Sequence, residues 1–242
     1  MNPAVQVGVA AGAAALAAHW VPSTVSLGQW AGLAHLPGGW CTWRGQRASR
    51  AVAFTFDDGP DPERTPTLLE RLDDLGWRAT FFCLGERVRA HPDVVREVLL
   101  AGHQVETHGY RHHHHLWRSP GWVAGDLDAA LDAMHDIRVH PHWFRPPYGQ
   151  ASGSTLWHAH RRGLRPVLWS VWGREWAIPT AEGVARRVAA GLSSGAVVLL
   201  HDSDAFSPPG SAQRAFDALD GIADEMDRRG LAAVTLDELV AA

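Results

Sequence analysis

AVAFTFDDGP, at residues 51–60, is the stretch from which the fold of this 242-residue sequence can be read. A short apolar run that ends at a Gly-Pro turn signal is typical of a strand buried on both faces, as in parallel sheets. Two adjacent carboxylates at the end of such a strand are costly to bury without a partner. A turn before Gly59-Pro60 needs only one Asp. The pair Asp57-Asp58 therefore favours a site in which one carboxylate binds a cation and its neighbour acts as a base on bound water.

Outward from this stretch, short apolar runs alternate with amphipathic ones. Strands are predicted at Ala51–Phe56, Ala79–Leu84, Gln104–Thr107, His142–Arg145, Arg165–Val171, Ala196–His201 and Ala232–Leu236. Helices are predicted at Arg64–Leu75, Pro92–Ala101, Trp122–Ile137, Ser154–Arg162, Ala181–Gly191 and Ala212–Arg229. Strands that alternate with helices imply parallel pairing through right-handed crossovers. The sequence thus predicts an α/β fold, a closed or nearly closed β/α barrel of about seven strands, with its site at the carboxyl ends of the strands.

Composition limits the classes of partner. The net charge is -4, and no run of Lys or Arg reaches the length of a nucleic-acid patch, so we expect no nucleic-acid partner. The chain is predicted to divide into an N-terminal leader and connector, residues 1–49, and one catalytic domain, residues 50–242. Within the leader, Pro3–Ala18 is apolar but has no preceding basic residue. Two alternatives remain open: export or membrane association, and a cytoplasmic protein with a packed or disordered extension. The oligomeric state also remains open.

A second polar cluster follows the third predicted strand, as His108-Gly109-Tyr110-Arg111-His112. A spacing of four residues places both imidazoles on one helical face, within reach of one ion. With one Asp they would supply two nitrogens and one oxygen to a divalent cation, leaving positions open for water and substrate. An exposed His-rich loop explains the same residues, because His113, His114 and His115 follow directly. His112 with His115 is an alternative pair.

Two further strands end in polar residues. The fourth ends in FRPPYG, residues 144–149, where Arg145 can form a bidentate pair with a carboxylate and backbone N–H groups after the prolines can face an oxyanion. The same residues also suit a plain rigid turn. The sixth ends in VVLLHD, residues 197–202. There His201 is either a hydrogen-bonded core residue or a proton donor at the mouth of the barrel, and its place at a strand end favours the donor.

Taken in order along the chain, these motifs resemble the polysaccharide deacetylase family, also called the NodB-homology domain or carbohydrate esterase family four. The matching pieces are TFDDGP at 55–60, HxxxH at 108–112, RPPYG at 145–149, a Trp-ended loop at 172–176 and LxH at 199–201. Each is weak alone, but five in order are specific. The resemblance implies a distorted β/α barrel and a metal-dependent hydrolase that removes N-acetyl groups from a chitin-like or peptidoglycan-like amino-sugar polymer or oligosaccharide.

The resemblance also implies a cofactor and the residues that bind it. Asp58, His108 and His112 would hold one divalent metal ion, with zinc first and cobalt, nickel, manganese or iron as alternatives. Asp57 would be the general base, and Arg145 would hold it in place.

Four other residues receive roles from the same resemblance. The Tyr148 backbone N–H would stabilise the tetrahedral oxyanion, and His201 would protonate the departing amine. Trp176 and Leu199 would line the acetyl pocket. The substrate would be a carbohydrate, and the apolar N-terminus is consistent with a place near a membrane or cell wall.

The sequence departs from the family pattern at two motifs. Family members usually carry Asp-x-x-Asp-Trp in the fourth motif, with the first Asp paired to the catalytic His. Here the stretch is WGREW, so Trp172 stands in that position. Without a carboxylate partner a protonated His201 is less favoured, unless one of three acids substitutes: Glu175, Asp202 or Asp204. In the second motif Gly109 stands where Ser or Thr is common.

Three other functions remain open at this point. Trp172 and the apolar N-terminus suggest a deacylase acting on a lipid-linked amino sugar or a small amide. The missing Asp and the 12 Trp residues suggest a metal-retaining carbohydrate-binding protein without turnover. Two His and one carboxylate also suit a non-haem iron oxygenase, although Asp57 and His201 fit hydrolysis better.

Overall fold

The computed structural model describes residues 41–45 and 50–241. The predicted leader and connector, residues 1–49, lies outside the described residues except for 41–45. The strands of the described residues are β1 Ala51–Asp57, β2 Thr80–Cys83, β3 Gln104–Thr107, β4 Trp143–Phe144, β5 Arg165–Pro166, β6 Val171–Trp172, β7 Val197–His201 and β8 Ala232–Val234.

Helices surround these strands. They are α1 Arg64–Asp74, α2 Gly85–Ala90, α3 Pro92–Leu100, α4 Pro120–His135, α5 Gly153–Arg161, α6 Ala181–Gly191, α7 Ser211–Asp217, α8 Leu219–Arg229 and α9 Leu236–Ala241. Two short 3-10 turns occur at His115–Trp117 and Pro147–Gly149. Among these helices, none is both long enough and apolar enough to cross a bilayer.

All the strands belong to one parallel sheet that curls into part of a barrel. The order is β5-β4-β3-β2-β1-β7-β6, and β8 pairs with the first half of β1. This arrangement confirms the predicted distorted β/α barrel. The described residues contain eight strands where the sequence predicted about seven, because the stretch predicted as one strand at 165–171 forms both β5 and β6.

Local chemistry explains where the elements differ from the prediction. Pro166 has no N–H to give to a ladder, and the next residues turn to the N-terminal segment, where Leu168 N–H donates to the Thr42 carbonyl at 2.7 Å. The helix predicted at 212–229 is divided at Ala218, whose N–H also bonds to the carbonyl of Ala215 three residues earlier. Helices α2 and α9 were missed because six residues are too few to show a helical period.

The two faces of β1 meet different surroundings. Val52, Phe54 and Phe56 pack outward against the helices, in the larger apolar cluster. Ala51 and Ala53 face the barrel interior, where a smaller cluster includes Phe82, Trp143 and Val197. Side chains alternate along a strand, so Thr55 and Asp57 also point into the barrel. Burial of each large apolar side chain stabilises the fold by about 1.5–3 kcal/mol, and this rigid frame carries Asp57 to the carboxyl end.

Candidate active site

The site begins where β1 ends. Asp57 is its last residue, and Asp58 follows with φ 80°, in the left-handed region that few residues other than Gly adopt. In an extended strand two adjacent side chains would point to opposite faces. Here both carboxylates are buried and lie near one imidazole nitrogen, His108 Nε2, at 3.9 Å from Asp57 and 3.5 Å from Asp58. The turn at Asp58 thus brings two acids to one side of the chain.

Three predicted ligands converge. Asp58 Oδ1 lies 3.5 Å from His108 Nε2 and 3.3 Å from His112 Nε2, and the three candidate ligand atoms all lie within 4.8 Å of one another. Asp58 Oδ1 is buried and has no hydrogen-bond partner among the described residues. The Nδ1 atom of His108 lies 2.8 Å from the carbonyl oxygen of Arg145. Donation to that oxygen leaves the lone pair of Nε2 free to bind a cation.

The electrostatics of these groups also fit a cation. Burial lowers the pKa of His112 to about 2 and holds the pKa of His108 well below its usual value, so both rings are neutral. Neutral imidazole is the form that binds metals. Burial raises the pKa of Asp58 to about 7, because a carboxylate without a partner is poorly stabilised there. A divalent ion at this point would supply the missing positive charge.

The neighbouring histidines do not compete as ligands. His115 is fully buried, and its Nε2 atom lies 3.3 Å from Asp126 Oδ2. His114 stacks on the Tyr148 ring at 3.6 Å between centroids. The geometry therefore favours the pair His108 and His112 over the alternative pair that includes His115.

Asp57 is held by a buried arginine. Arg145 Nη1 donates to Asp57 Oδ1 and to Thr55 Oγ1, both at 2.7 Å. Arg145 Nη2 donates to the Leu168 carbonyl at 3.0 Å, and the guanidinium lies over the Phe82 ring at 4.2 Å. Arg145 thus meets Asp57 through one nitrogen, whereas the sequence suggested a bidentate pair. The other oxygen of Asp57, Oδ2, lies 3.9 Å from His108 Nε2.

His201 ends β7 on the opposite side of the site. Its Nδ1 atom lies 2.7 Å from Glu175 Oε1, and Glu175 is fully buried. Burial opposes protonation of His201, but the Glu175 carboxylate, with smaller contributions from Asp58 and Asp57, outweighs burial and raises the pKa of His201 to about 9. His201 Nε2 faces the site, 4.0 Å from Asp58 Oδ2. The ring is therefore protonated at neutral pH.

Glu175 is the acid that pairs with His201, one of the three substitutes that the sequence left open for the missing Asp at Trp172. It lies three residues after Trp172 in the same loop. Of the three acids considered, the other two have different contacts: Asp202 accepts from the Thr65 hydroxyl at 2.6 Å, and Asp204 pairs with Arg64 at 2.7 Å. The signal was the position of Glu175 directly before Trp176, where the family pattern has its second Asp.

The predicted pocket residues lie around this centre. The ring edge of Trp176 meets His201 at 5.2 Å and 85°. Leu199 precedes His201 by two positions on β7, so its side chain is on the same face of that strand. Tyr148 has φ 59° in the loop after β4, and its ring lies 4.3 Å from the His112 ring.

Two residues near the site were not found from the sequence. Phe206 stacks on His112 at 4.2 Å, and its side chain is 44% exposed. Asp126 accepts hydrogen bonds from the backbone of the segment between His108 and His112. The signal for Asp126 is its place in the buried stripe of α4, between Val123 and Leu127, where a carboxylate needs partners. Phe206 lies in a polar loop and gives no comparable signal.

The fold and this cluster together define a parallel barrel with a candidate cation centre at its carboxyl end. The model of the polysaccharide deacetylase family matches residues 44–167, and the chain belongs to this family. Members are hydrolases that act on N-acetyl amide bonds of polysaccharides, and its deacetylases use a divalent metal.

Known proteins resemble the chain over most of its length. A peptidoglycan-N-acetylglucosamine deacetylase of Bacillus cereus is 33% identical over 207 residues, which cover 84% of this chain and 94% of the relative. A chitooligosaccharide deacetylase of Bradyrhizobium is 35% identical, over 70% of this chain and 77% of the relative. A crystal structure of a peptidoglycan N-acetylglucosamine deacetylase has a TM-score of 0.78 at 29% identity, and the match covers 84% of this chain and 94% of that one.

Proposed function

We propose that this chain removes N-acetyl groups from N-acetylglucosamine units of a peptidoglycan-like or chitin-like glycan. Residues 50–242 would form the catalytic domain, and Asp58, His108 and His112 would hold one divalent ion, with zinc first. The observation that carries the proposal is the buried, unpartnered oxygen of Asp58, directed at two neutral imidazoles. The names of the relatives in Bacillus cereus and Bradyrhizobium support the substrate class.

The residues divide the chemistry as follows. A bound divalent ion would polarise the amide carbonyl and make water more acidic. Asp57 accepts the proton of the attacking water through the oxygen that Arg145 leaves free. Because Arg145 is itself fixed by Thr55 and Leu168, the base keeps one orientation.

Four other residues contact the leaving amine and the acetyl group in this proposal. His201 donates its proton to the departing amine, and Glu175 keeps the ring protonated and oriented. The Tyr148 backbone N–H donates to the oxyanion, which forms on the carbonyl oxygen when water attacks the carbonyl carbon. Trp176 and Leu199 enclose the acetyl methyl group.

A carbohydrate-binding protein without turnover is less well supported. That hypothesis came from the missing Asp and the 12 Trp residues. Glu175 supplies the carboxylate partner of His201 at 2.7 Å, which removes the first of these two reasons. Residues 41–45 and 50–241 offer no comparable observation in favour of a lipid-linked substrate or of oxygenase chemistry.

The decisive experiment measures acetate release from chito-oligosaccharides and from peptidoglycan fragments. The protein is stripped with a chelator, reloaded with zinc and compared with an Asp57→Asn variant. We expect turnover to fall by about 10²–10⁴-fold in that variant. Asp132→Asn, an exposed change of the same kind on α4, is the matched control and should keep full activity. No release of acetate by the zinc-loaded wild type, on any of these substrates, would refute the proposal.

A further inference from the structure

The backbone between the two histidine ligands is held by a side chain from a distant part of the sequence. Asp126, on α4, accepts a hydrogen bond from the Tyr110 N–H at 3.0 Å with Oδ2. It accepts a second from the Arg111 N–H at 3.2 Å with Oδ1. The two carboxylate oxygens thus bind the two peptide groups that lead directly into His112.

Asp126 is itself firmly placed. It is 6% exposed, and its Oδ2 atom lies 3.3 Å from His115 Nε2. His115 is fully buried, with the rings of Trp122 and Phe144 each 5.7 Å from its own. A buried carboxylate is stable only when hydrogen-bonded. The contacts from the loop and from His115 meet this requirement, so the loop and α4 are coupled.

Gly109 provides the space for this contact. Its φ is +85°, a value that side chains rarely tolerate. A Cβ atom there would lie 2.9 Å from Asp126 Oδ2, too close for the carboxylate to stay where it is. Residue 109 therefore has no side chain that could fix the segment carrying His112. The space that such a side chain would need is taken by the Asp126 carboxylate.

We propose that Asp126 is a positioning residue for the metal centre. By fixing the peptides of Tyr110 and Arg111, it sets His112 beside His108 before the ion arrives. Less conformational freedom is then lost when the ion binds, so affinity increases. This inference rests on the metal site of the proposed function, and it concerns how strongly the ion is held.

The test is zinc affinity of the full chain, measured by competition with a chromophoric chelator. Asp126→Asn keeps the shape of the side chain but replaces one acceptor oxygen with an N–H₂ donor, which faces a backbone donor. We expect zinc affinity to fall about 10- to 100-fold. At saturating zinc, acetate release should return to near the wild-type rate, a recovery that general loss of structure would not show.

Asp128→Asn is the matched control. It removes the same charge two residues away on α4, where Asp128 is exposed and pairs with Arg162. Its zinc affinity should stay within about twofold of the wild type. If Asp126→Asn also stays within twofold, the inference is overturned while the proposed function stands. If the wild type binds no zinc, the proposed function fails, and the inference with it.

A second variant covers failure of Asp126→Asn to fold. Gly109→Ala disturbs the same contact from the side of the loop. The added methyl group should push the Asp126 carboxylate away from the N–H groups of Tyr110 and Arg111. We expect weaker zinc affinity, together with faster hydrogen exchange in the peptide that contains Tyr110 and Arg111. Unchanged affinity and unchanged exchange in this variant would overturn the inference.

Discussion

Replacement of Glu175 by Gln tests the proton donor directly. The pKa of His201 is about 9 beside the carboxylate, against an ordinary 6.5, which corresponds to about 3 kcal/mol in favour of the protonated ring. At pH 7 about 99% of the rings would carry the proton. In Glu175→Gln burial remains and the Glu175 charge is lost, so the pKa of His201 falls from about 9 toward its ordinary value, although Asp58 and Asp57 still raise it. At the ordinary value of 6.5 only about a quarter of the rings would be protonated at pH 7.

The assay is the pH dependence of kcat/KM for acetate release, with saturating zinc. The group acts in its protonated form, so activity is lost as pH rises through its pKa. We expect the alkaline limb of Glu175→Gln to lie at least one pH unit below that of the wild type. The bound ion lowers the pKa of His201 in both proteins, and the comparison removes that contribution. Glu182→Gln, an exposed change on α6, is the matched control. Alkaline limbs that coincide would refute the reasoning.

Three further predictions concern the pair of Arg145 with Asp57, the ion and the substrate. Arg145→Ala leaves the Asp57 carboxylate buried without its cation and should lower the free energy of unfolding by about 3–5 kcal/mol in urea titrations; a loss below about 1 kcal/mol would contradict this. Removal of divalent ions with a chelator should abolish acetate release, and zinc should restore it in the wild type but not in Asp58→Asn; full activity without any metal would show that the ion is not needed. Phe206→Ala removes an exposed ring beside His112 and should raise KM for chito-oligosaccharides about 2- to 10-fold with kcat little changed, because a stacked ring contributes about 0.5–1.5 kcal/mol. An unchanged KM would place the sugar elsewhere.

The parts predicted well from the sequence were those in which one residue pattern has one physical solution. The apolar run of β1 must be buried on both faces, and it forms the centre of the sheet. Asp58 and His108 lie close together because parallel strands deliver their carboxyl ends to one edge. The choice of His112 as the second histidine came from the family resemblance, and its Nε2 atom lies 3.3 Å from Asp58 Oδ1. The strand-end rule therefore located the candidate site before any tertiary contact was known.

Contacts between distant segments could not be read in this way. Strand β4 is shorter than predicted because the Glu106 carboxylate takes the N–H groups of His142 and Trp143, at 2.9 and 2.7 Å. Which of three acids would meet His201 depended on the path of the loop that carries Glu175. These contacts depend on the path of each loop in three dimensions. The spacing of residues along the sequence does not determine that path.

The short pairings of residues 41–45 have a practical consequence. Thr42 pairs with Val167, beyond β5, and Arg44 pairs with Ala196, which leads into β7. Residues 41–45 thus bridge the gap between β5 and β6, the two strands at the edges of the sheet. A truncation that starts at Arg50 would keep every candidate site residue but would remove these pairings. Residues 166–168 would then be held less firmly, and Leu168 provides the carbonyl that accepts from Arg145.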